Sequence, residues 1–251
     1  MDFRLFPYHL ILADDERNAK EIYEDYRFYD KNVYFYPAKD LLFFQADIHG
    51  NLLIRQRMRV IRALLEQKEV TVVTSIDGCM DFLMPLEKIR SRLLHFRCDS
   101  VIDLDQLKEE LVELGYERTG QVELPGQFSV RGGIIDIYPL TEDNPWRIEL
   151  WDDEVDSIRS FDAESQRSLE NVDEITIYPA VEKMDGEDMV SFWIIFRKKK
   201  HWCFWMNRTT WQKTARVWRK STVRVVCTER KKARQIFRSS GYVVFRNCRR
   251  S

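Results

Sequence analysis

The sequence predicts an open α/β layer followed by a small, mostly antiparallel α+β domain and then a basic tail. Three observations carry that reading. Residues 9–74 alternate strand and helix patterns, as a layered α/β unit requires. From residue 116 to 178 only strand patterns occur, punctuated by turn residues. The charge then inverts: residues 1–192 hold 22 Lys+Arg against 40 Asp+Glu, a net of −18, whereas residues 193–251 hold 18 basic residues and one acid, Glu229, a net of +17.

In the first domain, taken as residues 1–92, residues 9–13 (HLILA) read as a short buried strand. Asp14 or Asp15 caps a helix in which Ala19, Ile22, Tyr23 and Tyr26 recur at helical spacing. Residues 33–36 form a second strand that Pro37 ends. His49 or Asn51 opens an amphipathic helix over 52–67, with Leu53, Met58, Ile61, Leu64 and Leu65 on the apolar side and arginines on the other. The β-branched run 70–74 (VTVVT) has the continuous apolar character of a strand covered on both faces.

The pattern changes between residues 85 and 101, and a second domain is taken as 93–180. Asp103 caps a helix over 104–114 whose Leu104, Leu107, Leu111 and Leu114 share a face, and Gly115 stands where a left-handed residue ends a helix. Strands follow over 116–123, 128–138, 147–151, 155–161 and 175–178. Pro125-Gly126 and Asp143-Asn144-Pro145 supply turns. The pair Gly132-Gly133 falls inside the second of these runs and reads as a bulge or a close backbone approach.

Catalytic chemistry finds little support in these residues. There is no GxxxxGK[ST] loop to wrap phosphates. The four histidines, His9, His49, His95 and His201, share no metal-ligand spacing, and no Ser or Cys lies in a nucleophile motif. Acid runs such as Asp152-Asp153-Glu154 read as solvated turns and caps. The five cysteines are scattered without a CxxC pair, which suits reduced thiols in a cytoplasm, and no apolar run has signal-peptide or membrane length. No metal, no membrane and no resident cofactor are expected.

Binding is better supported. Along 147–151 (RIELW), alternation puts Ile148 and Leu150 on one face and Arg147, Glu149 and Trp151 on the other. An outward Trp beside an Arg is the pairing that interface hot spots favour. Arg131 has the opposite parity to its apolar neighbours and can join them across the sheet. The competing reading keeps Trp151 on a core edge and pairs the arginines with nearby carboxylates.

The segments QVELPGQFSVRGGIIDIYPL and NPWRIELWDDEVDSIRSFDAESQRSLENVDEITIYPA strongly resemble the second domain of bacterial transcription-repair coupling factors, whose fold and UvrA-binding role are shared with UvrB. FYPAKDLLFFQADIHGNLLIRQRMRVIRALLE and VTVVTSIDG resemble the preceding first-domain segments, so the likeness runs from about residue 8 to 180. The resemblance implies an N-terminal fragment that recruits UvrA to stalled RNA polymerase, with Arg131, Arg147 and Trp151 as UvrA-binding residues. The last position is usually Phe in the family. It also implies a UvrB-like first domain without a working ATP site, and a fragment that is not itself an enzyme. In the full-length family, ATP and Mg serve a DNA translocase, and RNA polymerase and DNA are bound by domains this chain lacks. A fragment of a UvrB-type helicase subunit is the alternative, and would need a P-loop upstream.

The likeness stops near Phe192, where the charge inverts. With TTT for Phe204 and a CGN codon for Arg208, residues 204–208 (FWMNR) back-translate as TTT TGG ATG AAY CGN, and one base over this reads TTG GAT GAA: Leu-Asp-Glu, followed by Pro or Ser. The tail is therefore read as an out-of-frame translation from about residue 193, poorly ordered, which accounts for its holding five of the seven tryptophans. A basic, aromatic arm for nucleic acid is the competing reading.

Overall fold

The computed structural model describes residues 8–39, 47–66, 69–182, 188–198, 202–207 and 242–246. The chain opens with β1 (Tyr8–Ala13), α1 (Glu16–Tyr26), β2 (Val33–Tyr36), α2 (Asp47–Glu66), β3 (Val70–Ser75), α3 (Ile76–Met80), β4 (Phe82–Leu83) and α4 (Leu86–Ser91). There follow β5 (Leu94–Arg97), α5 (Leu104–Glu113), β6 (Glu117–Arg118), β7 (Gln127–Arg131), β8 (Ile134–Ile137), β9 (Trp146–Trp151), β10 (Glu154–Phe161), β11 (Ser168–Val172) and β12 (Glu174–Ile177). The last elements are β13 (Val190–Ser191), α6 (Phe192–Lys198), β14 (Trp202–Asn207) and β15 (Tyr242–Arg246). They divide into two units, one of Met1–Asp40, Glu66–Phe82 and Val190–Ser251, the other of Leu41–Leu65 and Leu83–Met189.

The first unit is built on a five-stranded sheet in the order β15-β14-β1-β3-β2. β14, β1, β3 and β2 run parallel, and β15 closes the edge antiparallel. All six residues of β3 are buried, as its unbroken apolar run requires. Asp15 caps α1 by accepting the Asn18 N–H, so the second of the two expected caps is used. Ala13, Ala19, Val33 and Val73 form a buried cluster, with Ile11, Ile22, Tyr23 and Phe35 packed against it.

Ligands of open α/β layers sit beyond the carboxyl ends of the strands. Here the Glu16 carboxylate lies at that end, accepting hydrogen bonds from the Ala38 N–H at 3.1 Å and the Ser75 hydroxyl at 2.8 Å. An internal anion therefore takes a backbone N–H of the kind that phosphate sites use. Gly78 is required nearby, since a Cβ there would lie 2.5 Å from Thr74 Oγ1 and 3.2 Å from the backbone of Ala38.

Part of the tail is described within this unit. Phe192 stacks on Tyr36 with ring centroids 3.8 Å apart, and Trp193 and Ile195 are buried. β14 pairs in register with β1, Tyr8 opposite Trp202 through Leu12 opposite Met206. The described residues of the tail are 192–198, 202–207 and 242–246. The rest of the tail lies outside the described residues.

The second unit carries a six-stranded sheet in the order β11-β10-β9-β8-β7-β6, antiparallel except for β6 beside β7. A separate antiparallel pair joins β5 to β12, setting Phe96 opposite Ile175. One face of the large sheet is apolar and buried: Phe128, Ile135, Ile137, Ile148, Val155 and Ile158 are all nearly inaccessible. α5 starts and stops as its sequence dictates, with Asp103 accepting the N–H groups of Asp105 and Gln106 and Gly115 at φ +86° just past its end. A Cβ on Gly115 would fall 2.4 Å from Val181 Cγ1. Gly115→Ala is therefore expected to cost at least about 1 kcal/mol, read as a lower urea midpoint.

Three expectations need correction. Gly132-Gly133 is not inside a strand but forms the two-residue turn of the β7–β8 hairpin, with Arg131 opposite Ile134 and Gly132 at φ +60°. A Gly pair supplies the positive φ that such turns need. The close approach was correctly read, because a Cβ on Gly133 would stand 3.0 Å from the Leu150 carbonyl oxygen. Secondly, the arginines of α2 do not form a solvent face. Arg57 is fully buried and paired with Glu182, while Arg55 and Arg59 reach Asp143 and Arg62 reaches Glu142. Thirdly, a cut at residue 92 leaves α2 with the first unit, whereas these ion pairs tie it to the second.

Candidate functional site

The outward face of β7, β8 and β9 gathers the charged residues that strand alternation expels from the core. Register places Ser129 beside Asp136 and Asp136 beside Arg147, and sets Arg131 opposite Ile134 at the hairpin end. Asp136 sits in the middle of this row with 1% of its side chain accessible. Its carboxylate accepts hydrogen bonds from Arg147 Nε at 2.6 Å, Arg147 Nη2 at 2.8 Å and Arg131 Nη2 at 2.7 Å.

The three residues anticipated for binding therefore differ in how they are presented. Trp151 is 80% exposed at the end of β9, held there by the tight turn Asp152-Asp153, with Asp152 at φ +60° and Glu154 opposite Trp151. The side chain of Arg131 is 48% exposed. That of Arg147 is only 14% exposed. Its guanidinium stacks on the Phe161 ring at 4.3 Å and donates to Gln166 Oε1 at 3.1 Å. Its hydrogen bonds to the Asp136 carboxylate raise the Arg147 pKa, with burial opposing them. Trp151 does not cover a core edge, whereas both arginines do pair with a carboxylate, so the geometry of the competing reading is met by the arginines alone.

Sequence reasoning missed Asp136 and Gln166. The first had a signal, since an acid inside IIDI falls on the face opposite Ile135 and Ile137. The second had none: Gln166 adopts φ +58°, an unusual conformation for its type, and its amide donates to the carbonyls of Val122 and Ala163. Glu149 was placed on the correct face, but its partner Arg159, across the β9–β10 pair, was not foreseen.

The hydrogen bonds from Arg159 hold the Glu149 carboxyl below the usual carboxylate range, against a smaller opposing effect of burial. A group with a depressed folded pKa contributes stability that is present above its unfolded value and lost as pH falls through the folded one. Glu149→Gln is accordingly expected to flatten the acid limb of a stability–pH curve below about pH 4, measured by urea unfolding. Elsewhere, burial and then Asp81 push the Cys79 thiol far up, so it is no nucleophile at neutral pH.

Residues 94–182 match the family model of the UvrB interaction domain. The matched span contains every residue of the face just described. The chain is 44% identical over 153 residues to the transcription-repair-coupling factor of Bacillus subtilis (strain 168), covering 61% of this chain and 13% of that protein. It is 38% identical over 161 residues to the one from Staphylococcus aureus (strain USA300), covering 64% and 14%. With that of Staphylococcus haemolyticus (strain JCSC1435) it is 39% identical over 158 residues, covering 63% and 13%. The chain is similar to these coupling factors over that region and spans about one seventh of their length. Among the described residues, no helix is long and apolar enough to cross a membrane, and no group of His, Cys, Asp and Glu is placed to hold a metal ion.

Proposed function

We propose that this chain is the UvrA-recruiting part of a transcription-repair coupling factor, working in transcription-coupled nucleotide excision repair in the cytoplasm. Its activity is binding: the outward face bearing Arg131, Arg147 and Trp151 docks on UvrA. The translocase activity and the contacts with RNA polymerase and DNA are assigned to the parts of full-length coupling factors that this chain does not span. The observation that supports the reading best is an almost fully exposed Trp151 on the same outward strand face as a cation cluster, inside a UvrB interaction domain. Such anchors are where truncation costs most at protein interfaces.

A calorimetric titration of UvrA with the purified chain tests it. Arg131→Ala is expected to weaken binding by about 1–3 kcal/mol, and mainly to raise the off-rate, as truncating an interface cation does. A chain that binds no UvrA, or an unchanged affinity on truncating both Arg131 and Trp151, overturns the reading.

The basic tail takes no part in this function. Its reading as an out-of-frame translation from about residue 193 stands on the Leu-Asp-Glu hidden one base away from residues 204–207. Sequencing the gene tests that reading: a stop codon in the shifted frame within this span ends it.

A further inference from the structure

We propose that Asp136 is the positioning residue of the docking face, and that the group it prepares Arg131 to receive is a carboxylate on the docking partner. The proposal rests on the UvrA-docking reading above and adds to it the chemistry of recognition. Asp136 is nearly inaccessible and lies on the middle strand of three, so it touches no partner itself. What it does is fix two guanidiniums in different ways.

Arg147 is held at two points by Asp136, through Nε and Nη2, the fork geometry that leaves a guanidinium little freedom. Phe161 covers its plane and Gln166 takes a further N–H. Gln166 cannot turn away freely, because its own amide nitrogen is committed to the Val122 and Ala163 carbonyls. Arg147 is thereby a strut. Arg131 is held at one point only, by Nη2 on Asp136 Oδ2 at 2.7 Å, with about half of its side chain accessible. One of its five N–H donors is engaged in that bond, and a guanidinium is built to present the others as a planar fork to a carboxylate.

The charges point to the same partner group. Asp136 carries one negative charge between two guanidiniums, and the neighbouring acid, Glu149, is committed to Arg159 and Ser157. One positive charge is left over, and it sits on the more exposed arginine. A complementary surface therefore supplies an anion at Arg131 and an apolar seat for Trp151.

The test is a set of UvrA titrations with the full chain. Asp136→Asn keeps the volume and removes the charge that aims Arg131, and is expected to weaken binding roughly tenfold. The double variant Asp136→Asn, Arg131→Ala is expected to bind no more weakly than Arg131→Ala alone, because the first change acts through the second residue. A merely structural role for Asp136 gives additive losses instead. Asp136→Asn leaves Arg147 partly buried and short of its counter-charge, so a second variant, Asp136→Asn with Arg147→Met, removes both charges of the pair and is read against Arg147→Met alone, which subtracts any contact Arg147 itself makes. It is expected to bind roughly tenfold more weakly than that reference. Wild-type affinity of Asp136→Asn, no difference between the second variant and its reference, or additivity in the cycle, overturns the positioning role. Arg131→Glu is expected to bind at least about tenfold more weakly than Arg131→Gln, through like-charge repulsion. Equal affinities of those two overturn the carboxylate. Trp151→Ala separates the two levels. Unchanged affinity there and in Arg131→Ala removes the docking reading itself, whereas a loss there beside an unaffected Asp136→Asn removes only the present inference.

Discussion

Trp151→Ala lowers the affinity of this chain for UvrA by about 2 kcal/mol or more, roughly thirtyfold, and leaves its thermal stability unchanged. Both halves of that expectation follow from where the indole sits. Trp151 ends β9 with 80% of its surface accessible, so the folded chain alone gains almost nothing from it. Removing an exposed side chain usually alters stability by less than about 0.5 kcal/mol. In a complex the same ring is a large, rigid contact with only two torsions to freeze, which is why Trp is enriched among hot spots. The turn Asp152-Asp153 fixes its backbone, and the same strand carries Glu149 and Arg147 two and four residues away, so the ring enters a partner already oriented. Trp151→Phe keeps an aromatic anchor and is expected to retain most of the affinity. Calorimetry with both variants, alongside thermal melts, separates loss of contact from loss of fold. A drop in melting temperature for Trp151→Ala contradicts this assignment, because it means the indole was packing against its own chain.

Much of this face was legible in the sequence, and the reasons are local. Strand alternation alone set Ile148 apart from Arg147, Glu149 and Trp151, since a period of two leaves no other choice. Asp103 and Gly115 bounded α5 through cap chemistry that acts within four residues. What failed was non-local or broke a local rule. Nothing in the amphipathic pattern of α2 distinguishes Arg57, which is buried on Glu182 some 125 residues away, from Arg55, which stays part-exposed. The strands β5 and β11 were missed because neither alternates well: β5 is short, and four of the five residues of β11 are exposed on the edge of the sheet. The short helices α3 and α4, of five and six residues, give no periodicity to read. Gln166 at positive φ is held by its side-chain bonds to Val122, Ala163 and Arg147, and no residue-type preference points to it. Asp136 was visible as a polar residue in an apolar strand, yet its meaning depends on two arginines from the strands on either side.

Arg57→Ala is expected to destabilise the second unit by about 3–5 kcal/mol, because it strips a buried carboxylate of its counter-charge. Arg57 is wholly inaccessible and Glu182 nearly so, and the Arg57 Nε hydrogen-bonds the Glu182 carboxylate. The other arginines of α2 reinforce the same attachment at the surface: Arg59 lies 2.5 Å from Asp143, and Arg55 reaches the Glu142 carbonyl and the Asp143 carboxylate. Exposed pairs of that kind contribute at most about 1 kcal/mol each, so the buried one decides the outcome. Replacing both partners, Arg57→Met with Glu182→Leu, is expected to recover most of the loss, since desolvating the pair costs as much as its attraction returns. Urea unfolding of the single and double variants measures both. The result bears on the docking face as well. The match to the UvrB interaction domain covers residues 94–182 and so includes Glu182 without Arg57. A fragment cut to that span carries the buried carboxylate without its guanidinium, and is expected to unfold at lower urea than one that begins before α2.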